Sequence, residues 1–247
     1  LYYADAGSKS EIEDGSAAHP WKTLQAAFKP AAEGGMAENG ILFVAAGTYD
    51  QGGKTDGVNG NSRLYVDRQC RIVGAGRETT FIEGALDTGS ADSHKRGANA
   101  YRCVTIDTSA VVLIQGFTFR KGRSIGTDTA AAARNYGGLI YGVTGSATDQ
   151  HVIADSTLTD GVAFRSSIAR CVKMVRCELD GVKSIGGGLC RPATLDTVIV
   201  RNVAEGSSSL FDGDGGDTGH SSTIHCLQTP SMWSTTSASV KCIDSIF

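Results

Sequence analysis

The feature that most constrains this chain is an internal repeat of short apolar strands. A small-small-apolar-apolar step reads GGLIY at Gly137–Tyr141, GVAFR at Gly161–Arg165 and GGLCR at Gly187–Arg191. It continues as SSLFD at Ser208–Asp212 and PSMWS at Pro230–Ser234. Aligned on the first apolar residue, the copies fall at Leu139, Ala163, Leu189, Leu210 and Met232, a spacing of roughly 21–26 residues. A second ladder follows, made of a short apolar run, a polar residue and a turn former. It ends at Gly116, Ser156, Cys177, Asn202, Cys226 and Ser245, with an outlying copy at Gly74. From Gly74 to Ser245 it fits eight steps of about 21 residues each, two of them hidden in doubled gaps.

Each repeat carries short runs of β-type residues and leaves no room for a helix. The physical reading is one turn of a coil per repeat, stacked on the next. Tyr65, Tyr101, Ile140, Phe164, Cys190, Phe211 and Trp233 are then expected in one internal column. Ile114, Ala154, Val175, Val200, Ile224 and Ile243 are expected in another. A hairpin sandwich would instead need Asn-Gly-type turns between strand pairs. Only Asn39-Gly40 and Asn59-Gly60 occur, both before the clear repeats.

Composition agrees with a strand-and-turn chain: 32 of 247 residues are glycine and 4 are proline. With 23 basic and 26 acidic residues the formal charge is −3, so the basic footprint of a nucleic-acid binder is missing. The longest apolar run, Ile41 to Ala46, falls far short of the roughly 20 residues a membrane helix needs. Seven cysteines form no C-x-x-C pair. They allow up to three disulfides with one thiol left over, or several act as small buried hydrophobes.

Residues 1–50 lack the ladder. Pro20 and Trp21 precede Leu24, Ala27 and Phe28, an i, i+3, i+4 apolar face that predicts a helix over about 21–29, ended by Pro30. A strand follows at Ile41 to Ala46. Residues 1–50 thus read as an N-terminal cap with a first strand, and 51–247 as coils of about 21–26 residues.

The run YYADAGS…DGS…HPWKTLQAAF followed by ILFVAAGTY resembles the opening of secreted right-handed parallel β-helix proteins of the pectate-lyase-like superfamily. The later GGLIYG and SSLF steps resemble glycine-led repeats of bacterial surface β-helix proteins and adhesins. The resemblance implies an all-β chain, a single-stranded right-handed parallel β-helix solenoid with a short N-terminal capping helix. It also implies an extracellular or cell-surface location. The start at Leu1 reads as a processed, mature chain or as a trimmed one. The superfamily spans lyases, hydrolases, esterases and adhesins, so fold leaves function open.

Polar residues repeat as well. Gln115, Asp155, Arg176, Arg201, His225 and Asp244 are expected to form one stripe, and Arg102, Tyr141, Arg165, Arg191, Asp212 and Ser234 a second. Such stripes suit a long polymer, about one sugar per coil. The family resemblance implies, for a lyase, a basic residue that abstracts a proton beside calcium or a second cation. The candidates are Lys173, Arg176 and Arg201, with Arg165, Arg191, His225 and Asp155 as substrate contacts. Such a base needs its pKa drawn toward neutrality beside a charge-neutralising group. The acidic loop FDGDGGDTGH offers Asp212, Asp214 and Asp217 as oxygen ligands for Ca²⁺. The insert Leu86–Ala100 reads as a solvated loop overhanging one face. The last residues, Ser245-Ile246-Phe247, fall within the ladder, and a coil left open there invites self-association through Ile246 and Phe247.

Two functions follow as expectations. One is an extracellular β-helix surface or structural protein, adhesive or assembling end to end into filaments. The alternative is a polysaccharide lyase acting on an acidic polysaccharide.

Overall fold

In a computed structural model the chain is a parallel β-helix. The structure describes residues 1–126, 133–143, 151–164, 168–170, 172–185, 188–191, 195–196, 198–201, 209–211, 222–224 and 240–242. Three long sheets run along the coil. Sheet A has seven strands, beginning with Tyr2–Ala4, Gly40–Val44, Cys70–Gly74 and Val112–Gln115. Sheets B and C have six strands each. Sheet B begins with Gly47–Tyr49, Thr80–Glu83 and Thr118–Arg120, and sheet C with Ser62–Val66, Arg102–Ile106 and Ile140–Gly142. The strands of all three pair in parallel, so each turn of chain contributes one strand to each sheet. Among the described residues no helix is long and apolar enough to cross a membrane.

The inward columns follow from period-two alternation. In sheet A, Leu42, Ile72, Ile114, Ile153, Met174 and Leu195 are in register. In sheet B, Ile82, Phe119, Leu158, Leu179 and Val200 stack, each fully buried. In sheet C the column is Leu64, Val104, Ile140, Ala169, Cys190 and Phe211.

These registers correct the columns expected from the ladders. Ile140, Cys190 and Phe211 share a column, but Leu64 and Val104 hold the places given to Tyr65 and Tyr101. Ala169 holds the place given to Phe164. GVAFR has the same residue pattern, yet Val162–Ala163 belongs to a separate two-stranded sheet with Lys183–Ser184. In the second ladder Ile114 faces Ile153, whereas Ala154 and Val175 point the other way beside Gln115. Val200 lies in sheet B, a third strand per coil that the two ladders do not reveal. Sheet B strands such as Thr157–Thr159 carry a single apolar residue between polar ones, too short a signal to stand out.

The doubled apolar positions have a backbone cause. The N–H groups of Cys103 and Val104 both donate to the Leu139 carbonyl, at 3.1 and 2.9 Å, and those of Leu139 and Ile140 both donate to the Ile168 carbonyl at 3.0 Å. Two residues facing one is a β-bulge, which turns consecutive side chains to the same side. Cys103 with Val104, Leu139 with Ile140 and Ile168 with Ala169 are accordingly all fully buried.

Coil length varies more than the ladders suggest. Along the sheet A column, the stretches from Ile72 to Ile114 and from Ile114 to Ile153 are each close to twice those from Ile153 to Met174 and from Met174 to Leu195. The doubled gaps are therefore single long coils. The A-to-B corner from Gly74 to Thr80 spans Ala75 to Thr79, but the next three are tight, with only Gly116 and Phe117 between Gln115 and Thr118, Asp155 and Ser156 between Ala154 and Thr157, and Arg176 and Cys177 between Val175 and Glu178. Each of these three uses one left-handed residue: Gly116 (φ 80°), Asp155 (48°) and Arg176 (52°). Only glycine takes that conformation without cost, so Asp155 and Arg176 hold about 1 kcal/mol or more of strain each. Most of the extra length goes into the B-to-C connections, which run from Tyr49 to Ser62, from Glu83 to Arg102 and from Arg120 to Ile140, and some into the connection from Gly142 to Val152.

At the N-terminal end the expected helix is a five-residue 3-10 turn, Leu24–Phe28, whose Leu24, Ala27 and Phe28 are buried. It packs against Ser62–Val66, the edge strand of sheet C. Gln25 accepts the Tyr65 N–H through Oε1 (2.7 Å) and its amide donates to the Tyr65 carbonyl (3.5 Å). One side chain thus offers the edge strand a donor and an acceptor, as a further strand would. Trp21 does the same for sheet A, exchanging backbone hydrogen bonds with Tyr3 and Asp5.

Cys70, Cys103, Cys177 and Cys190 are buried thiols outside any disulfide. That overturns the three-disulfide option, because the three remaining cysteines can form one bridge at most. Burial pushes the Cys70 and Cys103 thiols up to about 12 and Cys177 to about 11, which makes them inert.

Gln25→Ala strands both backbone groups of Tyr65 at a partly buried edge. The expected loss is about 1–2 kcal/mol, or roughly 2–8 °C in Tm for a chain of this size, read by thermal unfolding. An unchanged Tm would show that the edge needs no such partner.

Candidate functional site

The long B-to-C connections lie on one side of the coil, and the charged and aromatic side chains gather there. Sheet B ends its strands at Glu83 and Arg120, which are in register. Glu83 is buried, its side chain 8% exposed, and its carboxylate accepts hydrogen bonds from Arg120 and from Lys121 Nζ (2.7 Å). Arg120 also lies over the Phe81 ring, 4.1 Å from its centroid. One coil earlier Arg63 donates to the Glu83 carbonyl (3.1 Å) and the Gly52 carbonyl (2.9 Å), and it stacks 4.5 Å above Tyr101. Lys54 sits 3.5 Å above Tyr65. The result is a shelf of four cations, Lys54, Arg63, Arg120 and Lys121, with Glu83 paired to Arg120 and Lys121 and with Asp56 and Asp107 near the Lys54–Tyr65 end. Three of the cations are aligned on aromatic faces, which is worth about 0.5–1 kcal/mol each at exposed positions.

A second, buried layer lies along the outer face of sheet C. Tyr65, Thr105, Tyr141, Arg170 and Arg191 are in register, and the first four are buried although they point away from the coil interior. The connections cover them. Arg102, fully buried, lies 4.8 Å from the Tyr141 ring centroid, and Arg170 lies 3.7 Å from that of Tyr136. Burial lowers the Arg102 pKa to about 10, so it remains a cation at neutral pH. The Tyr65 hydroxyl donates to Asp107, and burial, helped by that carboxylate, pushes its pKa up.

Side chains tie the connections to one another. Asn61 donates to the carbonyls of Ala98 (2.7 Å) and Ala100 (3.1 Å). Arg96 forms a two-point pair with Asp92 (2.7 and 3.0 Å), reaches the Gly126 carbonyl (3.3 Å) and lies 4.7 Å over Phe164. Arg123 pairs with Asp160 (2.8 Å) and donates to the His94 carbonyl (3.2 Å). The insert 86–100 is therefore not simply solvated. Its Arg96 is 4% exposed and acts as the peg that holds the loop down.

The sequence-derived candidates are scattered. Lys173 lies on sheet A beside Val152, Arg176 in the A-to-B corner, and Arg201 at the end of a sheet B strand opposite Asp180. The single stripe expected from Gln115 to Arg201 does not form. Arg176 and Asp155 do meet, through two 2.7 Å hydrogen bonds between exposed side chains. Arg176 hydrogen bonding holds the Asp155 carboxyl below its usual range. Arg191 is placed by register beside Arg170. Arg165, His225, Asp212, Asp214, Asp217, Ile246 and Phe247 lie outside the described residues.

The shelf residues escaped sequence reading because they sit on four separate segments in the coils before the clear repeats. The adjacent cations Arg120-Lys121 at a strand end, and the Phe81-x-Glu83 alternation, were the available signals.

No family model and no curated protein matches the chain. Among solved structures it is similar to pectin methylesterase in complex with a hexasaccharide, at 13% identity and a TM-score of 0.38, over 82% of this chain and 65% of that one. The class defined by the strand registers is the parallel β-helix.

The Asp92–Arg96 pair makes the loop acid-sensitive. Arg96 hydrogen bonding holds the Asp92 carboxyl below its ordinary value. A depressed folded-state pKa gives stabilisation that is present above the unfolded value, about 3.9, and lost as pH falls through the folded one. Protection factors across 86–100, taken against the intrinsic exchange rate at each pH, should therefore fall in acid, below about pH 4. Asp92→Asn should show the lower protection already at neutral pH and lose the acid step. An identical pH profile in both proteins would remove this role.

Proposed function

We propose that this chain is an extracellular β-helix protein that holds an acidic polysaccharide against its loop-bearing edge. The shelf carries the reading: Lys54, Arg63, Arg120 and Lys121 gather along one edge of a protein whose net charge is −3, and only Arg120 and Lys121 of the four share Glu83. Cations pair with uronate carboxylates, and the rings of Tyr65, Tyr101 and Phe81 hold three of those cations in place. Coils about 4.8 Å apart offer roughly one contact per sugar. The covered array of Arg102, Tyr141 and Arg170 beneath keeps the local potential positive.

On this reading the winding is right-handed, as strand twist makes nearly all parallel crossovers. Residues 1–50 close the first coil through Leu24–Phe28, and 51–247 carry the coils. The location follows from the resemblance of the N-terminal segment to secreted β-helix proteins, and an adhesive surface role follows from a shelf that is broad and open rather than a deep pocket.

The test is titration of the chain with a polyuronate and with a neutral glucan, by calorimetry and affinity electrophoresis. Preferential, salt-weakened binding of the polyuronate is expected. The Lys54→Ala, Lys121→Ala double variant should bind ~5- to 30-fold more weakly, at about 0.5–1 kcal/mol per lost exposed charge contact. Equal binding of both polymers, or an unaffected double variant, rejects the shelf. Shortened chains accumulating in the mixture would make the edge catalytic rather than adhesive.

A further inference from the structure

The covered face of sheet C holds charges that nothing beside them balances. Arg102 is fully buried and Arg170 nearly so, and both lie against Tyr141, 4.8 and 5.8 Å from its ring centroid. The Arg102 side chain makes one long hydrogen bond, from Nη2 to the Arg134 carbonyl at 3.4 Å. Its Nε and Nη1 are buried and have no partner, and the same is true of Arg170 Nε. Thr105 shares a strand with Arg102 and is in register with Tyr141. Its hydroxyl is also buried without a partner. Among the described residues no carboxylate pairs with either arginine. Asp56 acts on Arg102 through its charge alone, because its oxygens accept the Val58 and Asn59 N–H groups and the Asn59 amide. Contact with a ring face offsets part of a buried charge but supplies no acceptor in the plane of the guanidinium.

We propose that this array is a binding site for one small oxyanion, carboxylate- or phosphate-like, held by Arg102 and Thr105 beside Tyr141, with Arg170 as the second counter-charge. The unmet nitrogens are all donors and the Thr105 hydroxyl can donate as well, so the site asks for an acceptor-rich ligand. Water would satisfy some of these groups and leave both charges uncompensated. Burial of Arg102, Thr105 and Tyr141 limits the ligand to an ion small enough to be enclosed, which excludes a sugar chain. Gly60 and Ile125 close over Arg102: a Cβ on Gly60 would stand 3.2 Å from Nη2 and 3.3 Å from the Ile125 side chain. The ion therefore enters as the connections bearing Gly60, Ile125 and Arg134 settle on the sheet, and it ties them to it. One monoanion between two guanidinium groups leaves the array positive, so the site is compatible with the shelf and does not rest on it.

The experiment is thermal unfolding of the dialysed full chain at fixed ionic strength, with chloride exchanged for formate or for inorganic phosphate. Ion chromatography of the denatured chain reads any oxyanion that survives dialysis. Phosphate raises the Tm of most proteins by exclusion from their surface, so Arg102→Met and the isosteric Thr105→Val set the baseline. The parent chain should either retain about one equivalent of oxyanion or show a saturable Tm rise of roughly 5–10 °C at a hundredfold excess over Kd. Arg102→Met should lose the retained ion and the saturable response, and Thr105→Val should bind roughly tenfold more weakly. Parent and Arg102→Met responding in parallel, with no oxyanion retained, would leave water as the partner and overturn the proposal. If Arg102→Met does not fold, Thr105→Val decides, and an undiminished response rejects the site. A polyuronate should not displace the small ion; displacement would put the ion on the shelf and overturn the buried site.

Discussion

Everything in this molecule depends on the parallel backbone ladder between coils. A strand in such a sheet has no hairpin partner in its own turn of chain, so its N–H and C=O groups are satisfied only by the coils before and after it. That requirement locks the register of every strand to its neighbours and turns residue identity into columns. A slip of one residue would place Ile114, Ile153 and Met174 on the outside and Gln115 and Val175 in the core. The same requirement makes the first coil a liability. Gln25 and Trp21 answer it at the N-terminal end, one with a side-chain amide and the other with backbone groups.

Because the ladder fixes three strands per coil, length differences are pushed into the corners. Three successive A-to-B corners stay at two residues, with single left-handed residues at Gly116, Asp155 and Arg176, while the one from Gly74 to Thr80 is longer. The exposed Asp155–Arg176 pair sits across two neighbouring corners and helps hold two strained residues in place. The B-to-C connections absorb most of the added length in the coils from Ile72 to Ile114 and from Ile114 to Ile153, with the Gly74-to-Thr80 corner and the Gly142-to-Val152 connection taking the rest. Function concentrates where the fold tolerates length, since added loops bring side chains to the edge without disturbing the core.

This division explains what could be read from the sequence. The solenoid was legible because bulges at Leu139-Ile140 and its equivalents place two apolar residues together in each coil. The columns were less legible. GVAFR and the sheet C step SSIAR, at Ser166 to Arg170, differ little in pattern, and hydrogen-bond register alone decides between them. The shelf was hardly legible at all. Lys54, Arg63, Glu83 and Arg120 lie on well-separated segments, joined only by the long coils. Arg176 and Arg201 drew attention by recurring in the text, yet recurrence reports the corner and the strand end, not a shared site.

The two outer surfaces that remain open, the cationic shelf and the apolar face of sheet A, follow from opposite solutions to the same problem. A solenoid exposes every outward strand position to water, and each must be polar, covered or paired. Sheet C is covered, and its buried cations rest on Tyr141 and Tyr136 in place of carboxylates. Burying guanidinium groups this way costs several kcal/mol before compensation, and the ring faces offset part of it. Sheet B is polar. Among the described residues the outer face of sheet A is mostly apolar and half-buried, with scattered single charges such as Arg71 and Lys173. An apolar strip in register across this many coils cannot come from one tolerated substitution. It requires an outward hydrophobe in coil after coil, held in line by the same ladder that stacks the core.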